Sequence, residues 1–296
     1  MGGGSGGIKN NIKFSQSGDY PASSLHDLGR PYGTRHLGRG VSAILNRSGK
    51  HPLNPLFAVV IPVFNHGRTV TDMVRRCLAL GFSVFVVDDG SDDLDETSFH
   101  GQAGVHVMRH RTNLGKGAAL MTGFRAAAAA GFAWAVTLDA DGQHRPDDVA
   151  GLIAAIPPGM RPVIVGCRQE MLDAGAPWTS RFGRGFSNFW IRRAGGPRTS
   201  DTQSGYRIYP LPEVMDLGVR SGRYQFELEV LVKARWNGIA VIEAPVSVIY
   251  QPEGGRISHF HPFFDFMRNT AVFARLIVQR VFGCRPKAYL SRYTGG

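Results

Sequence analysis

Residues 57–93 read FAVVIPVFNHGRTVTDMVRRCLALGFSVFVVDDGSDD. Phe57 to Ile61 is a short apolar run stopped by Pro62, which reads as a buried strand. Val70, Met73, Val74, Cys77 and Leu78 recur at helical spacing, and Gly81 closes that helix. Val84 to Val87 is a second buried strand, ending in Asp88 and Asp89. Two strands that are apolar throughout, joined by an amphipathic helix, predict a parallel pair covered on both faces.

The alternation continues downstream. Val105 to Met108 is a weaker strand, and the Ala-rich segment Gly117 to Ala130 is a helix closed by Gly131. Trp134 to Leu138 is a strand ending in Asp139, Pro146 opens a helix at its first turn, and Val163 to Val165 is one more strand. The expected class is α/β, with a mostly parallel central sheet flanked by helices. Upstream, residues 1–54 are rich in Gly, Ser, Asn, Arg and His and read as a flexible basic arm. The opening MGGGSGG has no apolar core, so no signal peptide is expected there.

The chain has 296 residues, is 43% hydrophobic and carries a formal charge of +11. Such a charge attracts polyanions, whether nucleic acid, anionic lipid or phosphorylated ligands. The basic residues are spread along the chain without an RNA-binding signature, so no nucleic-acid partner is expected. Cys77, Cys167 and Cys284 are scattered and unpaired in pattern, which argues against a disulfide scaffold or a zinc site and fits a reducing cytoplasm. No run of about 18 apolar residues is present to span a membrane.

In parallel α/β sheets, ligands bind beyond the carboxyl ends of the strands. Those ends here carry Pro62-Val63-Phe64-Asn65, Asp88-Asp89-Gly90-Ser91, Asp139-Ala140-Asp141-Gly142-Gln143-His144 and Gly166-Cys167-Arg168. A tight turn at Asp139–Gln143 would gather hard oxygen ligands for Mg²⁺ or Mn²⁺, the alternative being a solvated acidic turn. Asp88 and Asp89 suit either a nucleobase or ribose contact or an Asx-turn. Asn113-Leu114-Gly115-Lys116-Gly117 lacks the spacing of a Walker A loop or a dinucleotide fingerprint. It sits at a helix N-terminus and reads either as an anion site or as a simple cap.

Together these segments resemble the family 2 glycosyltransferases of the GT-A fold, and among them the dolichol- and polyprenyl-phosphate sugar synthases. The resemblance spans roughly residues 56–260. It rests on VVIPVFN (Val59–Asn65), VVDDGSDD (Val86–Asp93), NLGKGAAL (Asn113–Leu120), DADGQH (Asp139–His144), DTQSGYR (Asp201–Arg207), FELE (Phe226–Glu229) and SHF (Ser258–Phe260), in family order. It implies a nucleotide-sugar donor held by Pro62, Asn65, Asp88, Asp89, Lys116, Asp139 and Gln203, with Asp89 on the base. It places Asp139 near the sugar and diphosphate, the metal on Asp141 and Gln143, and Arg168 and Arg207 as cations for donor or acceptor phosphate. Catalytic roles are thus expected for Asp139, Asp141, Arg168 and Arg207. Trp178-Thr179-Ser180-Arg181, with Ser187 and Asn188, resembles the acceptor-side helix. Two positions depart from the family pattern: His66 stands where Glu is usual, and His259 where Lys is usual.

A lipid-phosphate acceptor fits this reading, because a phosphate monoester is already largely anionic at pH 7 and needs cations rather than a base. Single displacement would invert the anomeric centre. A hydroxyl acceptor on another lipid or glycan would instead need a base, with Asp201, Glu227 or Glu229 the candidates. A non-catalytic nucleotide-sugar or nucleic-acid binding protein is the remaining alternative.

Residues 261–282 read HPFFDFMRNTAVFARLIVQRVF. On a helical wheel His261, Asp265, Arg268, Asn269, Arg275, Gln279 and Arg280 gather opposite Phe266, Met267, Phe273, Ala274, Ile277, Val278 and Val281. Val272 and Leu276 fall on the polar side as exceptions. The segment 261–296 is expected to be amphipathic and interfacial, giving peripheral contact with the inner face of the membrane and room for a membrane partner subunit. An ordinary helix packed on the body of the fold is the alternative.

Overall fold

The computed structural model describes residues 56–168, 178–247 and 262–283, with side chains from 183 in the second segment and from 267 in the third. Seven strands form one sheet: β1 (Phe57–Val63), β2 (Ser83–Asp88), β3 (Val105–Arg109), β4 (Trp134–Thr137), β5 (Val163–Arg168), β6 (Arg207–Pro210) and β7 (Val241–Val246). Their order is β3-β2-β1-β4-β6-β5-β7. β6 runs antiparallel to β4 and β5, and the other pairings are parallel.

Six helices accompany the sheet in the described residues: α1 (Gly67–Ala79), α2 (Lys116–Ala129), α3 (Val149–Ala154), α4 (Trp178–Arg193), α5 (Gln225–Trp236) and α6 (Pro262–Val281). Strand residues alternate between two cores. Phe57, Val59, Ile61 and Val63 face α1 and α3, while Ala58 and Val60 face α2 and α5. Helix α2 lies tight on the sheet: a Cβ on Gly123 would stand 2.4 Å from Val60 Cγ1.

Pro62 is buried inside β1, where a missing N–H would normally break a ladder. Strand alternation explains its place. Val60 turns its carbonyl toward β4, where it accepts from Leu138, and Val63 turns its own toward β2, where it accepts from Asp89. The amide position of Pro62 therefore faces the β4 side, beyond the Val60–Leu138 bond. The sheet parts at this point, and the segment after β4 turns away to form the Asp139–Gln143 turn.

The strands from β1 to β5 match their sequence patterns within a few residues. Two strands and one helix carry no comparable pattern. β6 is four residues long, begins with Arg207 and ends with Pro210. β7 is half-buried and carries Glu243. α5 is buried on nearly all sides, so it lacks the polar stripe of a surface helix.

In α6 the buried face differs from the wheel drawn from sequence. Phe273 and Leu276 are fully buried, with Val272 and Ile277 packed beside them. Leu276 and Val272 had fallen on the polar side because Arg275 and Gln279 flank them, and those two are themselves half-buried. The opposite face leaves Met267, Val278 and Val281 exposed. The N-terminal arm, Ser258-His259-Phe260 and the tail after Gly283 lie outside the described residues.

Candidate active site

The β1 and β2 ends are tied to each other. Ser91 N–H, three residues on, donates to Asp88 Oδ1 at 2.8 Å, and Asp88 is fully buried. Asn65 adopts φ +54°, a left-handed conformation that Asn tolerates. Its N–H donates to Ser91 Oγ at 3.0 Å, and its Oδ1 accepts from Asp92 N–H at 3.0 Å. Asp89 reaches the segment ahead of α2. Leu114 N–H and His110 Nδ1 meet its Oδ1 at 2.9 and 2.7 Å, and Gly115 N–H meets Oδ2 at 2.7 Å. Asp89, itself buried, therefore fastens the 113–117 loop.

That loop delivers Lys116 to the centre of the site. Lys116 Nζ lies 2.5 Å from Asp139 Oδ1 and 2.9 Å from Glu227 Oε1. Burial alone would lower the ammonium's pKa, but the two carboxylates outweigh it and raise it above the ordinary lysine value. Burial would likewise push the Asp139 carboxyl up, whereas Lys116, His144 and Arg168 hold it below the usual range. Gly205 closes the cluster from the other side. A Cβ there would stand 2.5 Å from Asp139 Oδ2 and 2.6 Å from Lys116 Nζ. Thr137 Oγ1 donates to the Gly205 carbonyl at 2.7 Å and pins it against the end of β4.

The next turn is prefolded. Gln143 N–H and Nε2 donate to the two oxygens of Asp141 at 3.0 and 2.8 Å. Thr69 Oγ1 from α1 donates to the Ala140 carbonyl at 2.5 Å. His144 packs on the Tyr206 ring, and burial holds its pKa below the ordinary value, so it is neutral near pH 7. Asp141 and Gln143 are thus brought together, while the Asp139 carboxylate is engaged by Lys116.

Arg168, at the end of β5, forks onto Asp201 with contacts of 2.6 and 2.9 Å. Burial would raise the Asp201 carboxyl, and the Arg168 guanidinium outweighs it and holds the pKa low. Three groups hold this loop, and of these motif reading had not singled out Glu243. Glu243 Oε1 accepts from Ser200 N–H, Ser200 Oγ and Asp201 N–H at 2.7, 2.9 and 3.1 Å. Asn188 on α4 donates to the Ser200 carbonyl and accepts from Thr202. Gln203 Nε2 donates to Ser187 Oγ at 3.2 Å. The loop 200–205 therefore joins α4 to the Lys116–Asp139 cluster.

Arg207 stands behind the site. It has no exposed surface, and it donates to the carbonyls of Thr202, Ser204 and Glu227 at 2.8, 2.7 and 2.7 Å. Its observed work is to shape the loop, because a guanidinium turned onto backbone carbonyls is not presented to a phosphate. Glu229 is equally enclosed, with Lys233 and Arg275 as ion partners. Sequence spacing does not reveal such inward turns. The side chains of Trp178 to Arg181 lie outside the described residues.

The family model for glycosyl transferase family 2 matches residues 58–210, just over half the chain. The chain belongs to that family. The UDP-N-acetylglucosamine–dolichyl-phosphate N-acetylglucosaminyltransferase of Methanococcus voltae is 30% identical, over 66% of this chain and 86% of that protein. The polyprenol monophosphomannose synthase of Mycolicibacterium smegmatis is 30% identical, over 64% of this chain and 76% of that protein. Among solved structures, glucosyl-3-phosphoglycerate synthase from Mycobacterium tuberculosis, in complex with Mn²⁺, UDP-glucose and phosphoglyceric acid, superposes with a TM-score of 0.55. It is 18% identical and covers 85% of this chain and 84% of its own, a likeness of fold. The fold of this glycosyltransferase is GT-A, a mostly parallel sheet flanked by helices.

Two outcomes follow from this geometry. In the Gly205→Ala variant the new methyl displaces Lys116 and Asp139, so sugar transfer should fall by about 10²-fold or more, the scale of a misplaced reactive group. Thermal unfolding should show whether the fold itself survives, and a folded variant with wild-type kcat/KM would refute the close packing. The second concerns pH. A carboxyl held low stabilises the fold above its ordinary value, 3.8 for Asp201, and loses that stabilisation as pH falls through the folded value. The stability gap between wild type and Asp201→Asn, measured by urea unfolding, should be constant above about pH 5 and narrow below it.

Proposed function

We propose that this glycosyltransferase moves a sugar from a nucleotide-diphosphate donor to the phosphate of a polyprenyl-type lipid, with inversion at the anomeric carbon. The observation that carries the reading is the pairing of every carboxylate offered as a base. Asp201 is forked by Arg168, Glu227 meets Lys116, and Glu229 meets Lys233 and Arg275. A general base works best with a pKa near the working pH, and Asp201 and Glu229 are both held below the ordinary range. An acceptor that arrives ionised needs no such base, and a phosphate monoester is one. The two relatives named for dolichyl-phosphate and polyprenol substrates support the same acceptor class.

In this reading the donor base lies along Pro62, Asn65, Asp88 and Asp89, with Gln203 on the far side. Lys116 lies on the diphosphate side, kept charged by Asp139 and Glu227. Asp139 faces the sugar, and Arg168 draws the acceptor phosphate. Asp141 and Gln143 suit a divalent ion. Their turn is already folded, and its carboxylate and amide offer hard oxygens. Among the described residues no group of three or more His, Cys, Asp or Glu is clustered for a metal. Mg²⁺ and Mn²⁺ take one or two carboxylates and complete their shell with substrate phosphates and water. When bound, such an ion neutralises charge that builds on the departing diphosphate.

The setting we propose is the inner, cytoplasmic face of a membrane, reached peripherally. None of the described helices is long and apolar enough to cross one. The exposed Met267, Val278 and Val281 on α6 support contact with lipid, as does the net charge of +11.

The test supplies radiolabelled GDP-mannose, UDP-glucose or UDP-N-acetylglucosamine with Mn²⁺ or Mg²⁺ and a polyprenyl phosphate. Label should enter the organic phase, be released by mild acid, and vanish with EDTA or in Asp141→Ala. Transfer that ignores the acceptor's phosphate, tested with the free polyprenol, would overturn the acceptor assignment. For the membrane contact, Val278→Asp combined with Val281→Asp should weaken co-sedimentation with phosphatidylglycerol vesicles several-fold. Undiminished binding by that variant would remove α6 from the contact.

A further inference from the structure

Lys116 is flanked by two glycines, and both are pressed onto the same short loop, residues 220–223. A Cβ on Gly115 would stand 2.6 Å from the Gly222 carbonyl and 2.5 Å from Arg223 Cγ. One on Gly117 would stand 2.9 Å from the Ser221 carbonyl and 2.5 Å from Phe226 Cβ. Ala118 N–H donates to the Gly222 carbonyl at 2.9 Å. The loop is thus the floor that sets the height and direction of Lys116.

The floor is itself held by Glu229. This carboxylate has no exposed surface, and it accepts from Arg220 N–H, Ser221 N–H and Ser221 Oγ at 3.2, 3.0 and 2.6 Å. Lys233 Nζ lies 2.9 Å away on the same helix. The remaining partner comes from α6: Arg275 Nη2 donates to Glu229 Oε2 at 2.6 Å and approaches Ser221 Oγ at 3.3 Å. Gln225 Nε2 donates to Asn269 Oδ1 at 2.9 Å and makes a second polar tie between α5 and α6. Between these ties the loop and α6 leave a cleft of about 420 Å³, lined in part by Leu114, Gly222 and Ala271. The loop therefore does not rest on α6 by continuous packing. The Arg275–Glu229 pair is one of the polar ties across the gap.

We infer that Arg275 is a positioning residue for Lys116, acting through Glu229 and the 220–223 loop, so that the C-terminal helix takes part in holding the donor-side cation. All of these groups except Lys116 lie beyond the segment matched by the family model. The functional meaning rests on Lys116 serving the donor diphosphate, as proposed above. The mechanical link does not.

The experiment reads Lys116 directly. Purified full-length protein is treated briefly with acetic anhydride, and acetylation of the Lys116 peptide is followed by mass spectrometry against the urea-unfolded chain. Arg275→Ala should label about tenfold faster than wild type, because a loosened contact opens more often. Arg275→Lys, which restores the charge, should lie between them. Wild-type labelling in a folded Arg275→Ala, checked by circular dichroism, would overturn the inference. Should Arg275→Ala fail to fold, Ser221→Ala removes both the 2.6 Å bond to Glu229 and the 3.3 Å approach of Arg275 and should also speed labelling; no change there would overturn it equally. With an active donor in hand, Arg275→Ala should raise the donor KM in wild type and add nothing in a Lys116→Met background. An additive effect would mean that Arg275 acts elsewhere. Labelling needs no substrate, so absence of transfer to lipid phosphate would sink the acceptor proposal and leave this one standing.

Discussion

The buried ammonium of Lys116, held between Asp139 and Glu227, is the constraint around which the rest of the site is arranged. A charge withdrawn from water is costly unless its partners are close and fixed. Here one partner ends a parallel strand and the other rides on α5, so two distant parts of the chain must meet at one atom. Three glycines answer that demand. Gly115 and Gly117 let the lysine's backbone press onto the loop ahead of α5, and Gly205 leaves room for the ammonium and the Asp139 carboxylate together. None of the three tolerates a methyl group without displacing a neighbour. The motif glycines of NLGKG and QSGYR thus have a common cause in the space around a single ion pair.

The antiparallel strand β6 extends the same logic across the sheet. Because β6 runs opposite to β4 and β5, the loop before it arrives at the end where the parallel strands finish. Residues 200–205 therefore enter the site from the side facing α4. At one end Asp201 forks Arg168, and at the other Gly205 touches Asp139. Arg207 locks the loop's inner carbonyls from behind. An arginine in a motif is easily taken for a phosphate ligand, yet here burial and backbone acceptors account for its donors.

What was legible in the sequence divides along physical lines. Strands buried on both faces write themselves as continuous apolar runs, so β1, β2, β4 and β5 were readable, as were α1 and α2. The polar residues just beyond them were readable for the same reason, since a parallel sheet gathers its strand ends on one side. Elements defined by tertiary contact left little trace. β6 owes its place to its neighbours rather than to four residues of its own, and Glu243 acts through backbone amides from another loop. In α6 the half-buried Arg275 pairs inward and tilts the packed face away from the one that hydrophobicity alone would choose.

The charges at the strand ends are largely paired with one another. The chain carries +11, but at the strand ends the carboxylates of Asp139, Asp141, Asp201 and Glu227 stand with the cations Lys116, Arg168 and the fully buried Arg207. His144, kept neutral by burial, adds nothing near pH 7. Arg207 turns its donors onto carbonyls behind the site, so the cations left toward a ligand are Lys116 and Arg168, each already held by a carboxylate. A diphosphate entering there would also meet the carboxylates of Asp139 and Asp141. In the reading proposed above, a divalent ion held by the Asp141–Gln143 turn would offset that charge, and Lys116 and Arg168 would act on phosphate while their carboxylate partners hold them in place.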